Sequence, residues 1–104
     1  DPDASIREWL HGEHSLGDAS NHFIVTEHDK YVWYSQTGQE QYFDLDSDPY
    51  ELSDRISDTS CAGRIAYLRS CLTDALKDRE EGYVADGRLV AGRPPKTLLQ
   101  NSLL

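Results

Sequence analysis

His22-Phe23-Ile24-Val25-Thr26 is a run of β-formers, Glu27-His28-Asp29-Lys30 reads as a polar turn, and Tyr31-Val32-Trp33-Tyr34 resumes the apolar pattern. Ser35 to Glu40, with Gly38 inside, reads as a second turn, and Gln41-Tyr42-Phe43-Asp44-Leu45 as the next strand. Upstream, Ile6-Arg7-Glu8-Trp9-Leu10-His11 alternates well enough for a strand that Gly12 ends. Pro49 closes the sheet, because it lacks an N–H for the ladder and pushes Asp48 out of the helical region. Ser57-Asp58-Thr59-Ser60 then offers N-cap residues ahead of a helical run. Cys61, Ile65, Leu68, Leu72, Ala75 and Leu76 recur at three- and four-residue spacing, the stripe of an amphipathic helix that Gly82 should stop. Beyond it, Asp86-Gly87 and Gly92-Arg93-Pro94-Pro95 punctuate a tail with room for one short strand at most. The pattern predicts an α+β fold, an antiparallel sheet of about four strands packed with one C-terminal amphipathic helix. The sheet is expected over about 5–46, the helix over about 60–81 and an irregular tail over 82–104, all in one domain.

Both faces of each meander strand are apolar. Phe23 and Val25 oppose Ile24, Tyr31 and Trp33 oppose Val32 and Tyr34, and Tyr42 opposes Phe43. One helix covers one face, so a second partner surface is expected. Leu, Ile, Val and Phe make up only about a fifth of the 104 residues, near the level at which charged chains stay disordered. Six tyrosines and two tryptophans restore enough apolar area for a single modest core.

The net charge of −9 disfavours nucleic acid and anionic membranes, since neither meets a basic stripe here. No apolar run approaches the roughly 20 residues of a membrane helix. The chain has no Met, so a processed product or a piece of something longer is expected. Cys61 and Cys71 stand ten residues apart along one expected helix, about 15 Å by its rise, too far for a disulfide. They form no C-x-x-C pair, and two free thiols are expected.

Candidate chemistry concentrates at His11-Gly12-Glu13-His14, where a strand is expected to give way to a loop. Two imidazoles and a carboxylate can hydrogen-bond a sulfate or a hydroxyl, or shuttle a proton. His22 joins them if its strand pairs beside the first. The spacing fails the helical H-E-x-x-H pattern, so no metal is assigned. Asp44-x-Asp46-x-Asp48 opens like a calcium loop, but Pro49 and Arg55 stand where Gly and Glu are needed. Trp33 and the nearby tyrosines are candidates for stacking on a sugar or aryl ring. Asp74, Asp78, Glu80 and Glu81 read as a solvated acidic face.

Three segments carry a family resemblance: Leu10 to His14, Lys30-Tyr31-Val32-Trp33-Tyr34-Ser35-Gln36-Thr37-Gly38-Gln39-Glu40-Gln41-Tyr42-Phe43-Asp44-Leu45, and Asp48-Pro49-Tyr50-Glu51-Leu52. From about Arg7 to Pro94 the chain resembles the C-terminal subdomain of bacterial arylsulfatases, in the alkaline-phosphatase-like superfamily. The resemblance implies a sulfuric-ester hydrolase whose α/β catalytic domain is absent here and is this chain's partner. It also implies a sulfate-ester substrate, and a formylglycine nucleophile with a calcium ion in that parent. No cofactor is expected in this chain. Ser60-Cys61-Ala62-Gly63-Arg64 has Ala62 where the family's Cys/Ser-x-Pro-x-Arg motif needs Pro, so the isolated chain is expected to be inactive. The resemblance suggests that His11, Glu13, His14 and His22 approach the parent's substrate pocket. The alternative is a free-standing acidic module that binds a glycan or protein through an aromatic sheet face.

Overall fold

A computed structural model describes residues 8–93, so Ile6, Arg7 and the tail from Pro94 onward lie outside it. Four strands form an antiparallel meander in the order β1-β2-β3-β4: Leu10–His14, Asn21–Val25, Asp29–Tyr34 and Glu40–Asp44. Among the described residues a single α-helix, α1 (Ala62–Leu76), packs across β2 and β3. The expected α+β class, with a four-stranded sheet and one helix, holds.

Register decides which residues meet. Ile24 pairs with Tyr31, which pairs with Tyr42, and His22 pairs with Trp33. Ile24, Tyr31, Trp33 and Tyr42 thus share the face that receives Ile65, Leu68, Cys71, Leu72 and Leu76 from α1. This is the core. Ile65, Leu68, Leu72 and Leu76 of the predicted stripe are buried and Cys71 joins them, whereas Ala75 is half-buried and Cys61 lies just ahead of α1 in a short 3₁₀ turn. The Asp58 carboxylate caps that turn by accepting the Ser60 N–H at 2.9 Å. Both cysteines are free thiols.

Three sequence expectations need correction. First, Gly12 does not end the first strand; it sits in the middle of β1 opposite Phe23. A Cβ at Gly12 would lie 2.2 Å from the Phe23 ring, so the glycine leaves room for the outer end of that ring against the strand. Gly12→Ala is accordingly expected to cost about 1–3 kcal/mol in chemical denaturation. A loss below about 0.5 kcal/mol would mean that the ring swings away freely. Second, α1 stops at Leu76, because Lys77 to Glu81 are all charged and supply nothing to extend the stripe. A turn through Arg79 and Gly82, with Gly82 at φ 77°, reverses the chain. Third, the tail holds two short strands, β5 (Val84–Ala85) and β6 (Arg88–Leu89), paired as a hairpin. Asp86 and Gly87 both take positive φ, as the tight two-residue hairpin turn requires.

On the second face, Val32 and Phe43 are buried while Phe23, Val25 and Tyr34 are half-buried. Lys30 lies over the Phe23 ring at 4.7 Å and His14 stacks beside it at 5.4 Å between centroids. Among the described residues, the large apolar side chains left in solvent are Leu10, Leu16, Tyr50, Leu52 and Tyr67. Tyr50 and Leu52 are more than 80% exposed and flank Glu51, which Lys30 ties to the edge of this face at 3.1 Å. No described helix is long and apolar enough to cross a membrane.

Candidate functional site

β1 is an edge strand, and its alternation puts His11 and Glu13 on the helix-facing side while His14 points to the other. Glu13 pairs in register with His22 on β2, which brings the third residue beside the first two. His11 Nε2 and His22 Nδ1 stand 3.1 Å apart, with the rings nearly parallel at 10°. One of the two nitrogens donates to the other. Ligand atoms of His11, Glu13 and His22 all lie within 4.8 Å of one another.

His22 is 2% exposed, walled by Tyr83 edge-on at 4.9 Å and by Trp33 at 6.2 Å. Burial pushes its pKa down to about 4, with the Glu13 charge opposing and those of His11 and Arg79 assisting. Burial lowers the His11 pKa as well, against Glu13. Both imidazoles are therefore neutral at pH 7. Glu13 stays ionised, its pKa lowered chiefly by the hydrogen bond from Arg79.

Arg79 completes the cluster. Its Nη1 donates to Glu13 at 3.0 Å, while Nε and Nη2 donate to Glu81 at 3.1 and 2.8 Å. Glu81 belongs to this site and not to a solvated acidic face, because its side chain is only 4% exposed. Arg79, Glu81 and Tyr83 were invisible to pattern reading. Arg79 lies 66 residues from Glu13, and nothing in its local sequence marks the turn that returns it to β1.

Three of the four candidate residues thus converge, and His14 does not. It is exposed and stacks on Phe23 across the sheet. Trp33, Tyr31 and Tyr42 are buried under α1, so among the described residues they offer no open aromatic platform on that face. The Asp44–Asp48 segment is a polar turn in which Asp48 accepts the Leu52 and Ser53 N–H groups. A separate cleft of about 650 Å³ lies between Trp9, Leu10, Val25 and Tyr67, with Arg64 at its rim already committed to Asp29.

No protein-family profile matches the chain. It is 51% identical over 92 residues to an arylsulfatase of Clostridium perfringens (strain 13 / Type A), covering 88% of this chain and 19% of that protein. The chain therefore spans about a fifth of the length of that relative. The solved structure of BT4656 in complex with its substrate, D-glucosamine-2-N,6-O-disulfate, superposes with a TM-score of 0.65 at 17% identity. That match covers 74% of this chain and 17% of that one, and speaks for the fold alone. The resemblance to an arylsulfatase read from Leu10–His14, Lys30–Leu45 and Asp48–Leu52 holds.

Proposed function

We infer that this chain, related in sequence to an arylsulfatase, is the C-terminal subdomain of a sulfatase, a sulfuric-ester hydrolase. The observation that carries the inference is the 51% identity to the arylsulfatase over 88% of the chain. In this reading the partner is the catalytic domain of the same polypeptide, and the substrate of the whole is a sulfate ester. BT4656, part of which has a similar fold, takes a substrate that carries sulfate groups.

Leu10, Leu16, Tyr50 and Leu52 support the docking part of the reading. They are large, apolar and more than half exposed, and a docked partner would remove that area from water. The His11–Glu13–His22–Arg79 cluster sits on an edge strand, open to solvent at Glu13, and supplies both donors and acceptors for a sulfated hydroxyl compound. In this reading it lines the mouth of the parent's pocket. The catalytic groups themselves lie elsewhere. Ser60 stands in a capped turn with Ala62 in the place where the motif needs Pro, which does not fit a formylglycine site, so the formylglycine and calcium chemistry belongs to the parent's other domain.

The test is to read the coding frame upstream of Asp1 and express the whole product. A Cys/Ser-x-Pro-x-Arg motif and hydrolysis of an aryl sulfate by the full protein, with none by residues 1–104 alone, is the expected result. A frame without that motif, or turnover by the isolated chain, overturns the reading.

A further inference from the structure

The edge of the sheet holds a donor set for which the fold itself has little use. His11 and His22 are neutral imidazoles whose facing nitrogens stand 3.1 Å apart. Two nitrogens bound to one tetrahedral zinc ion at 2.0–2.1 Å stand about 3.3 Å apart, so this spacing is already close to one edge of the coordination tetrahedron. The Glu13 carboxylate lies within 4.8 Å of both on the same helix-facing side of β1, and because the residue is exposed a side-chain rotation can bring an oxygen closer. Two histidines and one carboxylate, drawn from adjacent strands at fixed register, are a borderline-soft set that suits zinc and leaves a fourth position open.

The surroundings favour a cation. Glu13 and Glu81 face a single guanidinium, Arg79, and the imidazoles add no charge, so the cluster carries a net negative charge. Arg79 donates to Glu13 and orients it, the part that an outer-shell partner plays around a metal ligand. Tyr83 and Trp33 close the inner side against water.

We propose that His11 Nε2, His22 Nδ1 and the Glu13 carboxylate form a three-ligand site for a zinc ion, with its fourth position toward solvent. Both facing nitrogens must present lone pairs to the metal. The hydrogen now shared between them shifts to the other nitrogen of its own ring, so no proton is released on binding. The site stands independently of the sulfatase reading.

The experiment is a titration of the chelator-stripped chain with Zn²⁺ at pH 7.5. It is followed by melting temperature, by calorimetric stoichiometry and by the histidine ring resonances. One equivalent bound, a melting temperature raised by several degrees in excess zinc, and shifts confined to His11 and His22 are expected. His11→Ala and Glu13→Gln, each checked for native circular dichroism, should weaken binding at least tenfold. Cys61→Ser and His28→Ala should leave it unchanged. Two results overturn the proposal: no zinc-dependent shift in the unaltered chain, or binding that survives His11→Ala and Glu13→Gln but falls with Cys61 or His28.

Discussion

Replacing Asp29 with alanine is expected to destabilise the domain by about 3 kcal/mol, the cost of orphaning a buried hydrogen-bonded network. Asp29 is 3% exposed at the start of β3 and serves three partners. It accepts from the Thr26 hydroxyl, from the Tyr42 hydroxyl at 2.8 Å, and from Arg64 Nε and Nη2 at 2.8 and 3.0 Å. Through these bonds one carboxylate joins the β2–β3 turn, strand β4 and helix α1. Burial by itself would raise its pKa, but the bonds from Arg64, Thr26 and Tyr42 outweigh burial and hold it low. Loss of the carboxylate strands the Tyr42 hydroxyl in the core, whereas Arg64, half-exposed, recovers water. Asp29→Asn keeps one acceptor and should lose roughly half as much. Urea midpoints at pH 7 decide the matter, and a loss under about 1 kcal/mol for the alanine variant would refute the hub.

The second large effect is acid sensitivity centred on His22, measured in chelator so that no metal competes for the ring. An unfolded chain protonates this imidazole near pH 6.5, whereas the folded chain holds it neutral down to about pH 4. Between those values the unfolded state binds a proton that the native state refuses, so stability falls as pH drops from 6.5 to 4. The full shift corresponds to about 3 kcal/mol, and water reaching the open rim of the site reduces it to roughly 2. The groups facing the ring are His11, Glu13, Arg79 and Glu81. His11 acts in the same direction, and Glu13 and Glu81, with lowered pKa values, add their own loss below about pH 4.5. His28 opposes them, since Asp46 raises its pKa, but it is exposed at the far end of β3. His22→Gln should flatten the dependence of the urea midpoint on pH between 6.5 and 4.5. Equal slopes in the two proteins would show that the ring is not held neutral by burial.

The split of the tail shows how far punctuation carries. Asp86-Gly87 was readable as a turn, yet the strands on either side are two residues each, too short for any alternation to register. Gly12 is the opposite case. A glycine reads as a stop when the chain is followed locally, but here it is a seat for an aromatic ring from the neighbouring strand. The docking expectation rested on two apolar faces, and the structure refines it. On the second face Lys30 and His14 from the same chain lie against the Phe23 ring, while Leu10, Leu16, Tyr50 and Leu52 each stand exposed.

Sequence by itself determined the meander, the helix and the helix stripe that turns inward, while both faces of the sheet read as apolar and only the packing chose between them. The meander and the stripe follow from periods of two and of three to four residues, which are properties of a few consecutive side chains. It also carried the relation to arylsulfatases, because identity along a segment needs no coordinates. The grouping of His11, Glu13 and His22 away from His14, the recruitment of Arg79 and Glu81, and the choice of Asp29 as hub were decided only by tertiary structure. Each depends on strand register or on a chain reversal dozens of residues away. A side chain's partners across such a span are set by how the whole chain closes, and no local pattern records that closure.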